Sequence, residues 1–351
     1  MRIVFLSWRD TAHPQAGGSE LVVDRLACGL VERGHDVMLF HGGPSADHPY
    51  ASRSTGATYT QYLRAPVSFL RHARDADVVV DVTNGIPFFS PVWQRAPVVV
   101  MAHHVHTEQW SMHYPPPVAV VGRWLESSAV TALYRRCSYV GVSPSTKVSL
   151  VALGVAEDRI TTIEMGTEIP AVVGVPSPTP KFVVLSRLVA HKRVELALQA
   201  WAALGPQIGG ELVVIGDGPE AKRLRATAPP NVRFTGWVDE PTKVAELSSA
   251  WALVHPAHHE GWGIVIMEAA ASGVPTLAFD VDGVRDACVD GVTGLLARDE
   301  AEFAADWLRL AGSGSLRAEL SVAARRRAET YTWDRSIAAF EQVLVDAARP
   351  R

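Results

Sequence analysis

Residues 258–268 read His258-His259-Glu260-Gly261-Trp262-Gly263-Ile264-Val265-Ile266-Met267-Glu268, with two glutamates eight positions apart. Gly261 and Gly263 disfavour a helix across the first glutamate, whereas Ile264 to Ser272 favours one. Glu260 is therefore expected on a loop and Glu268 on the helix that follows it. The start of that helix would present free N–H groups and the positive end of a dipole. The glycines would let a ligand approach the backbone. An anion near Gly263, with hydroxyls at the two carboxylates, would suit this arrangement. Spacing alone fits equally a loop that carries two solvated glutamates.

Outward from this stretch, short apolar runs alternate with helical ones. In the second half the runs are Phe182 to Ser186, Leu212 to Ile215, Val232 to Phe234, Leu253 to His255 and Thr276 to Ala278. In the first half they are Ile3 to Ser7, Val37 to Phe40, Val78 to Val80, Val98 to Val100, Tyr139 to Val142 and Ile160 to Ile163. Leu21, Val22, Leu26 and Leu30 give Ser19 to Arg33 a helical face, and Gly34 suits its end. Continuous apolar strands between helices predict parallel sheets covered on both faces. Ala171 to Pro180, with Pro176, Pro178 and Pro180, has linker composition. The expected organisation is a Rossmann-like domain over 1–172, a second over 181–332, and a helix over 333–351 that crosses back to the first.

A chain of 351 residues with 48% hydrophobic and 20% charged residues fits two ordinary globular domains. The net charge of -4 gives no nucleic-acid footprint. Residues 1–172 hold 14 basic and 15 acidic side chains and the remainder 19 and 22, so neither half is basic overall. Cys28, Cys137 and Cys288 match no metal-ligand spacing and read as reduced thiols. The apolar opening is far shorter than the roughly 18 residues of a spanning helix and lacks a cleavage pattern. The expected location is cytoplasmic, with contact at the inner face of a membrane left open.

Glu260-Gly-Trp-Gly…Glu268-Ala resembles the E-x7-E motif of family 4 retaining glycosyltransferases of GT-B fold. Gly273-Val-Pro-Thr, Gly283 and Asp290-Gly-Val-Thr-Gly-Leu-Leu follow in that family's order. Upstream, Ser186-Arg187-Leu-Val-Ala-His-Lys192 resembles its R-x4-K segment, Val214-Ile-Gly216-Asp-Gly218-Pro its second Gly loop, and Gly17-Gly18-Ser-Glu20 its N-terminal loop. The likeness covers nearly the whole chain. It implies two Rossmann-like domains facing across a cleft and transfer of a hexose-type sugar from a nucleoside-diphosphate sugar. Arg187 and Lys192 would then neutralise the diphosphate, as fixed cations do for a leaving group that gains charge. Glu268 would take the ribose hydroxyls and Glu260 the transferred sugar. Gly216 and Gly218 would lie near the nucleotide, Gly236, Trp237 and Val238 near the base, and Gly261, Trp262 and Gly263 along the donor. Gly17 and Gly18 would face the phosphates from the first domain.

The family also has a histidine after the fourth strand of its first domain, and His103 falls in that register, with His104 one residue away and His106 close by. It would hydrogen-bond the sugar. Domain closure would bring it and the Gly17-Gly18 loop onto the donor. The resemblance further implies same-face attack, with the donor phosphate helping to deprotonate the acceptor, and neither cofactor nor metal. The acceptor, whether sugar, lipid-linked or small, would meet loops around Asp10 to Gly17, Gly42 to Thr60 and Gln109 to Pro117. Trp110, Tyr114 and Pro115 to Pro117 could form an acceptor wall or a membrane-touching edge, or simply pack.

Three departures weigh against this reading. Glu164-Met165-Gly166-Thr167-Glu168 stands where the family often has N-G-V-D. Asp280-Val-Asp282 mimics the metal motif of the other main transferase fold. Gly216-x-Gly218-x-x-Ala221, with Asp239 downstream, mimics a dinucleotide fingerprint. An NAD-dependent dehydrogenase is therefore a rival, although it leaves Arg187, Lys192, Glu260 and Glu268 unexplained. A non-catalytic nucleotide-sugar-binding relative is a third reading.

Overall fold

The computed structural model describes residues 1–57, 59–83, 85–105, 118, 120, 122, 130–171 and 174–349. Internal contacts divide the chain into two units, Met1–Gly166 with Trp333–Arg351, and Thr167–Thr332.

The first unit is built on a parallel sheet of seven strands. They are β1 (Arg2–Arg9), β2 (Asp36–Gly42), β3 (Ala51–Ser54), β4 (Val78–Thr83), β5 (Val98–Ala102), β6 (Ser138–Gly141) and β7 (Ile160–Thr162). Their order is β3-β2-β1-β4-β5-β6-β7. The valine runs explain the centre of the sheet. Val79 and Val80 lie beside Val98 and Val99 in register, and all four are buried. Such strands have no solvent face and so show no alternation. The helix Gly18–Glu32 follows β1. The final helix, Trp333–Ala348, packs into this unit. Phe340 stacks on Phe5 of β1 at 6.1 Å, and Glu341 receives both Arg33 at 2.8 Å and His35 at 2.9 Å.

The second unit carries a parallel sheet of six. Its strands are β8 (Lys181–Leu185), β9 (Glu211–Ile215), β10 (Val232–Gly236), β11 (Ala252–His255), β12 (Thr276–Phe279) and β13 (Gly294–Ala297), in the order β10-β9-β8-β11-β12-β13. Phe182, Trp201, Phe303 and Trp307 form an aromatic core beneath it. The segment from Thr167 onward, with Ser177 of the linker-like stretch, is tied to this unit. Thr167 N–H donates to Tyr331, Arg325 to the Pro170 carbonyl, and the Trp251 indole to the Ser177 carbonyl.

In both sheets the strand order reverses once, between β1 and β4 and between β8 and β11. At such a point the loops leaving adjacent strands part in opposite directions and open a crevice at the carboxyl ends, where open α/β sheets bind ligands. Among the described residues, no helix is long and apolar enough to cross a membrane.

Candidate functional site

In the second unit the loops after β8 and β11 meet at the switch point. The residue after β8 is Ser186, followed by Arg187 and a short turn, Ala190–Lys192. After β11 comes the loop with Glu260, and the His258 N–H donates to the His191 carbonyl at 3.0 Å. That backbone bond ties the two loops together. Lys192 Nζ consequently reaches Glu260 Oε1. His255, the last residue of β11, places Nε2 at 2.8 Å from the same oxygen. Glu260 is 13% exposed. Burial alone would raise its pKa, but Lys192 and His255 outweigh it and hold the carboxyl well below the usual range. The group is thus held as an anion near pH 7, with one oxygen already committed.

The chain is closely packed around this carboxylate. The Glu260 N–H donates to the Asp282 carbonyl at 3.2 Å. A Cβ at Gly283 would lie 2.1 Å from the Glu260 carbonyl, so only glycine lets this loop approach. Gly261 and Gly263 follow, and Gly263 precedes the helix Ile264–Ala271 with φ 81°. Trp262 turns its ring inward, 3% exposed and 5.1 Å from Tyr331. Its ring is therefore packed against Tyr331.

Glu268 lies on the helix, as the glycine spacing predicts. Lys243 Nζ donates to its Oε1 at 2.6 Å and also meets Glu240 at 2.8 Å. Here burial prevails over Lys243, and the Glu268 carboxyl is raised, with Glu240 adding to the effect. Lys243 itself is raised, because Glu268 and Glu240 outweigh its own burial. Arg187 is half-buried beside Ser186, whose hydroxyl is buried without a hydrogen-bond partner among the described residues.

The Gly216–Gly218 loop packs onto the β8 exit. A Cβ at Gly216 would fall 2.0 Å from the Ser186 carbonyl, and one at Gly218 2.4 Å from the Leu188 carbonyl. The glycines are thus required by chain against chain, not by a dinucleotide. The resemblance to a dinucleotide fingerprint fails on two further counts. Its loop follows β9, which is not at the switch point. Asp239 caps the helix Glu240–Ser248, accepting the Thr242 N–H at 3.0 Å. Trp237 follows the edge strand β10 and is 63% exposed, with Val238 half-buried beside it. Asp280 and Asp282 each accept from Arg285 at 2.8 Å, so their carboxylates are bound to a guanidinium.

In the first unit, Gly17 caps the helix Gly18–Glu32, and the buried Glu20 carboxylate accepts the Gly17 N–H at 2.8 Å. His103 follows β5 and is buried. Burial lowers its pKa to about 4, which makes it a neutral imidazole near pH 7. Its Nε2 has no partner among the described residues. His106 and Gln109 to Pro117, including Trp110 and Tyr114, lie outside the described residues.

The residues missed by spacing are His255 and Lys243, the groups that differentiate the two glutamates. His255 had a signal, a polar residue closing an apolar strand. Lys243 had none, because it faces Glu268 only through the fold. A buried network near the Gly17 loop was also missed. His48 sets one ring nitrogen at 2.8 Å from Asp10 and the other at 3.0 Å from Asp24, and Asp24 also accepts from Tyr50 at 2.7 Å.

Comparison with known proteins adds the following. Residues 16–169 match a family described as Glycosyltransferase Family 4, and residues 179–313 one described as Glycosyl transferases group 1. The chain is 34% identical over 166 residues to a GDP-mannose-dependent alpha-mannosyltransferase of Corynebacterium glutamicum, covering 45% of this chain and 38% of that one. It is 30% identical over 218 residues to a D-inositol 3-phosphate glycosyltransferase of Streptomyces avermitilis, covering 57% and 47%. These two and five further matches span from 19% to 49% of the curated relatives' length, whereas an N-acetyl-alpha-D-glucosaminyl L-malate synthase of Bacillus anthracis is 23% identical over 97% of this chain and 96% of that one. Among solved structures, Anabaena HepE in complex with UDP and glucose superposes with a TM-score of 0.80 at 16% identity, covering 99% of this chain and 100% of that one. WaaG, a glycosyltransferase involved in lipopolysaccharide biosynthesis, gives 0.79 at 18% identity, covering 97% and 99%.

Proposed function

Since the chain belongs to the family 4 glycosyltransferases and has the GT-B fold, we propose that it transfers a hexose-type sugar from a nucleoside-diphosphate sugar to an acceptor, with retention of configuration. The observation that carries this reading is the pairing of Lys192 with the buried Glu260 carboxylate at the switch point of the second sheet. A diphosphate there would meet Lys192 and Arg187. Glu260 would keep one oxygen on His255 and offer the other to the sugar hydroxyls. Glu268 would accept from the ribose, and the exposed Trp237 and Val238 would lie by the base.

In the proposed reaction, the acceptor oxygen bonds to the anomeric carbon as the bond from that carbon to the diphosphate oxygen breaks. The acceptor proton passes to the departing phosphate. Lys192 and Arg187 stabilise the charge that develops, without waiting for solvent to reorganise. A neutral His103 would donate or accept a hydrogen bond at the sugar, as only an uncharged imidazole can do both. No metal is assigned a role, since two cations already serve the phosphates. One relative is a GDP-mannose-dependent transferase, another an inositol phosphate glycosyltransferase, and a structural neighbour is in complex with UDP. The acceptor proposed is a sugar, a lipid-linked or a small-molecule acceptor, and the location proposed is the cytoplasm.

A thermal-shift series tests class and donor together. UDP or GDP should raise the melting temperature and NAD(H) should not. A shift with NAD(H) alone would restore the dehydrogenase reading. Donor turnover should persist in chelator, and its complete loss there would give Asp280 and Asp282 a metal. His103→Ala should depress turnover strongly while the fold survives, and near-normal turnover would remove His103 from the site.

A further inference from the structure

The helix Thr60–His72 of the first unit has two faces with different content. Gln61, Ala65 and Phe69 are buried. They anchor the helix: Phe69 meets Trp93 edge-on at 5.3 Å, and Gln61 donates to the Trp8 carbonyl at 2.8 Å. The outward face is apolar as well. Tyr59 is 65% exposed, Leu63 82%, Val67 49% and Leu70 57%. Steps of four, four and three residues place these side chains within roughly a quarter of the helix circumference. They form one stripe, not scattered surface leucines, and a stripe of this kind signals an interaction site.

The charge carried by the helix itself has one sign. Arg64, Arg71 and Arg74 are exposed, and the helix contains no acidic residue. Asp75, the first acid after it, is already bound by Arg2. Apolar side chains in a line, edged by exposed arginines, fit a surface that is greasy within and anionic at its boundary. An interfacial helix of this design lies flat and buries its apolar face about 5–10 Å into the headgroup layer. We infer that the Thr60–His72 helix docks the protein onto an anionic lipid surface, with Leu63, Val67 and Leu70 inserted and Arg64, Arg71 and Arg74 at the headgroups.

The full chain is tested by sedimentation with phosphatidylcholine vesicles, with and without phosphatidylglycerol. Binding is expected only with the anionic lipid and should weaken as salt is raised. Each of Arg64→Gln, Arg71→Gln and Arg74→Gln should weaken it about fivefold, the fold-change equivalent to ~1 kcal/mol per basic side chain at such a surface. Leu63→Ser with Leu70→Ser should abolish it. All these positions are exposed, so circular dichroism and the UDP or GDP thermal shift should be unchanged. That separates failure here from failure of the transferase reading. Absence of binding to either vesicle would overturn the inference, as would equal binding to both with no effect of the arginines. A dimer in solution that the two serines convert to monomer would also overturn it, by assigning the stripe to a second copy of the chain.

Discussion

Glu260 and Glu268 are the same residue type, eight positions apart in one unit, and each is met by a lysine, yet their surroundings give them opposite character. Glu260 shares one oxygen between Lys192 and His255 and is held ionised. Among the described residues Glu268 pairs with Lys243, which is itself divided with Glu240, and burial pushes its carboxyl up. Charge is stabilised at the first position and costly at the second. The difference arises from placement. Glu260 sits on a loop between two strand ends, where groups from β8 and β11 converge. Glu268 sits on a helix flank and meets one neighbouring helix. A carboxylate fixed in its charged form suits hydroxyls of a sugar whose ring gains positive charge as its bond to phosphate breaks. One whose charge is costly suits a ground-state hydrogen bond to a ribose.

The largest effect should come from separating these roles kinetically. Glu260→Ala is expected to lower kcat by roughly 100-fold to 1000-fold, the scale for losing one group that acts on developing charge. Affinity for UDP or GDP should change little. Glu268→Ala should do the converse: a nucleotide Kd about tenfold weaker, the scale of a charged hydrogen bond, with kcat nearly kept. Calorimetry on the free nucleotide and steady-state kinetics on the donor measure the two separately. If both variants lose nucleotide affinity alike, the carboxylates share one role and the comparison breaks.

Lys192→Ala should be next in size, and it sharpens the comparison by removing the cation from one glutamate only. Donor and nucleoside diphosphate should both weaken, by about tenfold, while the nucleoside without phosphate should bind as before. The variant also leaves Glu260 with His255 as its sole partner. Removing one member of a buried pair costs several kcal/mol when solvent is excluded. Glu260 retains some exposure, so a smaller loss in melting temperature is expected. Unchanged titration of the diphosphate would take Lys192 out of the site.

The sequence made much of this arrangement legible, for particular reasons. Val78 to Val80 and Val98 to Val100 read as strands because buried parallel strands are apolar throughout. The break between Gly263 and Ile264 separated loop from helix and placed the two glutamates. Strand β3 escaped, because Ala51–Ser54 is polar and mostly exposed, and an edge strand made by backbone pairing carries no apolar signal. Strand β13 escaped as well, since Gly294–Ala297 offers only a short run inside a glycine-rich stretch. Several glycines also have a packing role in the fold. Gly216, Gly218 and Gly283 each accommodate a neighbouring carbonyl, a requirement that no local pattern reveals. Trp262 was read as a donor contact, and its ring is buried against Tyr331. His255 and Lys243 matter through partners 5 and 25 residues away, so their roles depend on packing and not on spacing.

The smallest expected effect concerns acid pH, and it is the most direct probe of the contrast. The Glu268 carboxyl is raised above its ordinary 4.5, so as pH falls it protonates before Glu260, which is lowered. Protonated, Glu268 accepts more weakly from ribose hydroxyls. The affinity for UDP or GDP should therefore decline on the acid side by less than about tenfold, beginning above pH 4.5. Glu268→Gln should be weaker at neutral pH yet flat across that window. Glu260→Gln should keep the wild-type slope. The stability signs follow from linkage. The folded chain binds more protons than the unfolded one at Glu268, so its charge costs stability as pH rises from 4.5 through its raised value. At Glu260 the folded chain binds fewer, so its contribution is present above 4.5 and is lost as pH falls below it. Melting curves of the two glutamine variants against wild type should accordingly diverge in opposite directions. If the slope in nucleotide affinity disappears in Glu260→Gln and persists in Glu268→Gln, the assignment of the ribose to Glu268 is reversed.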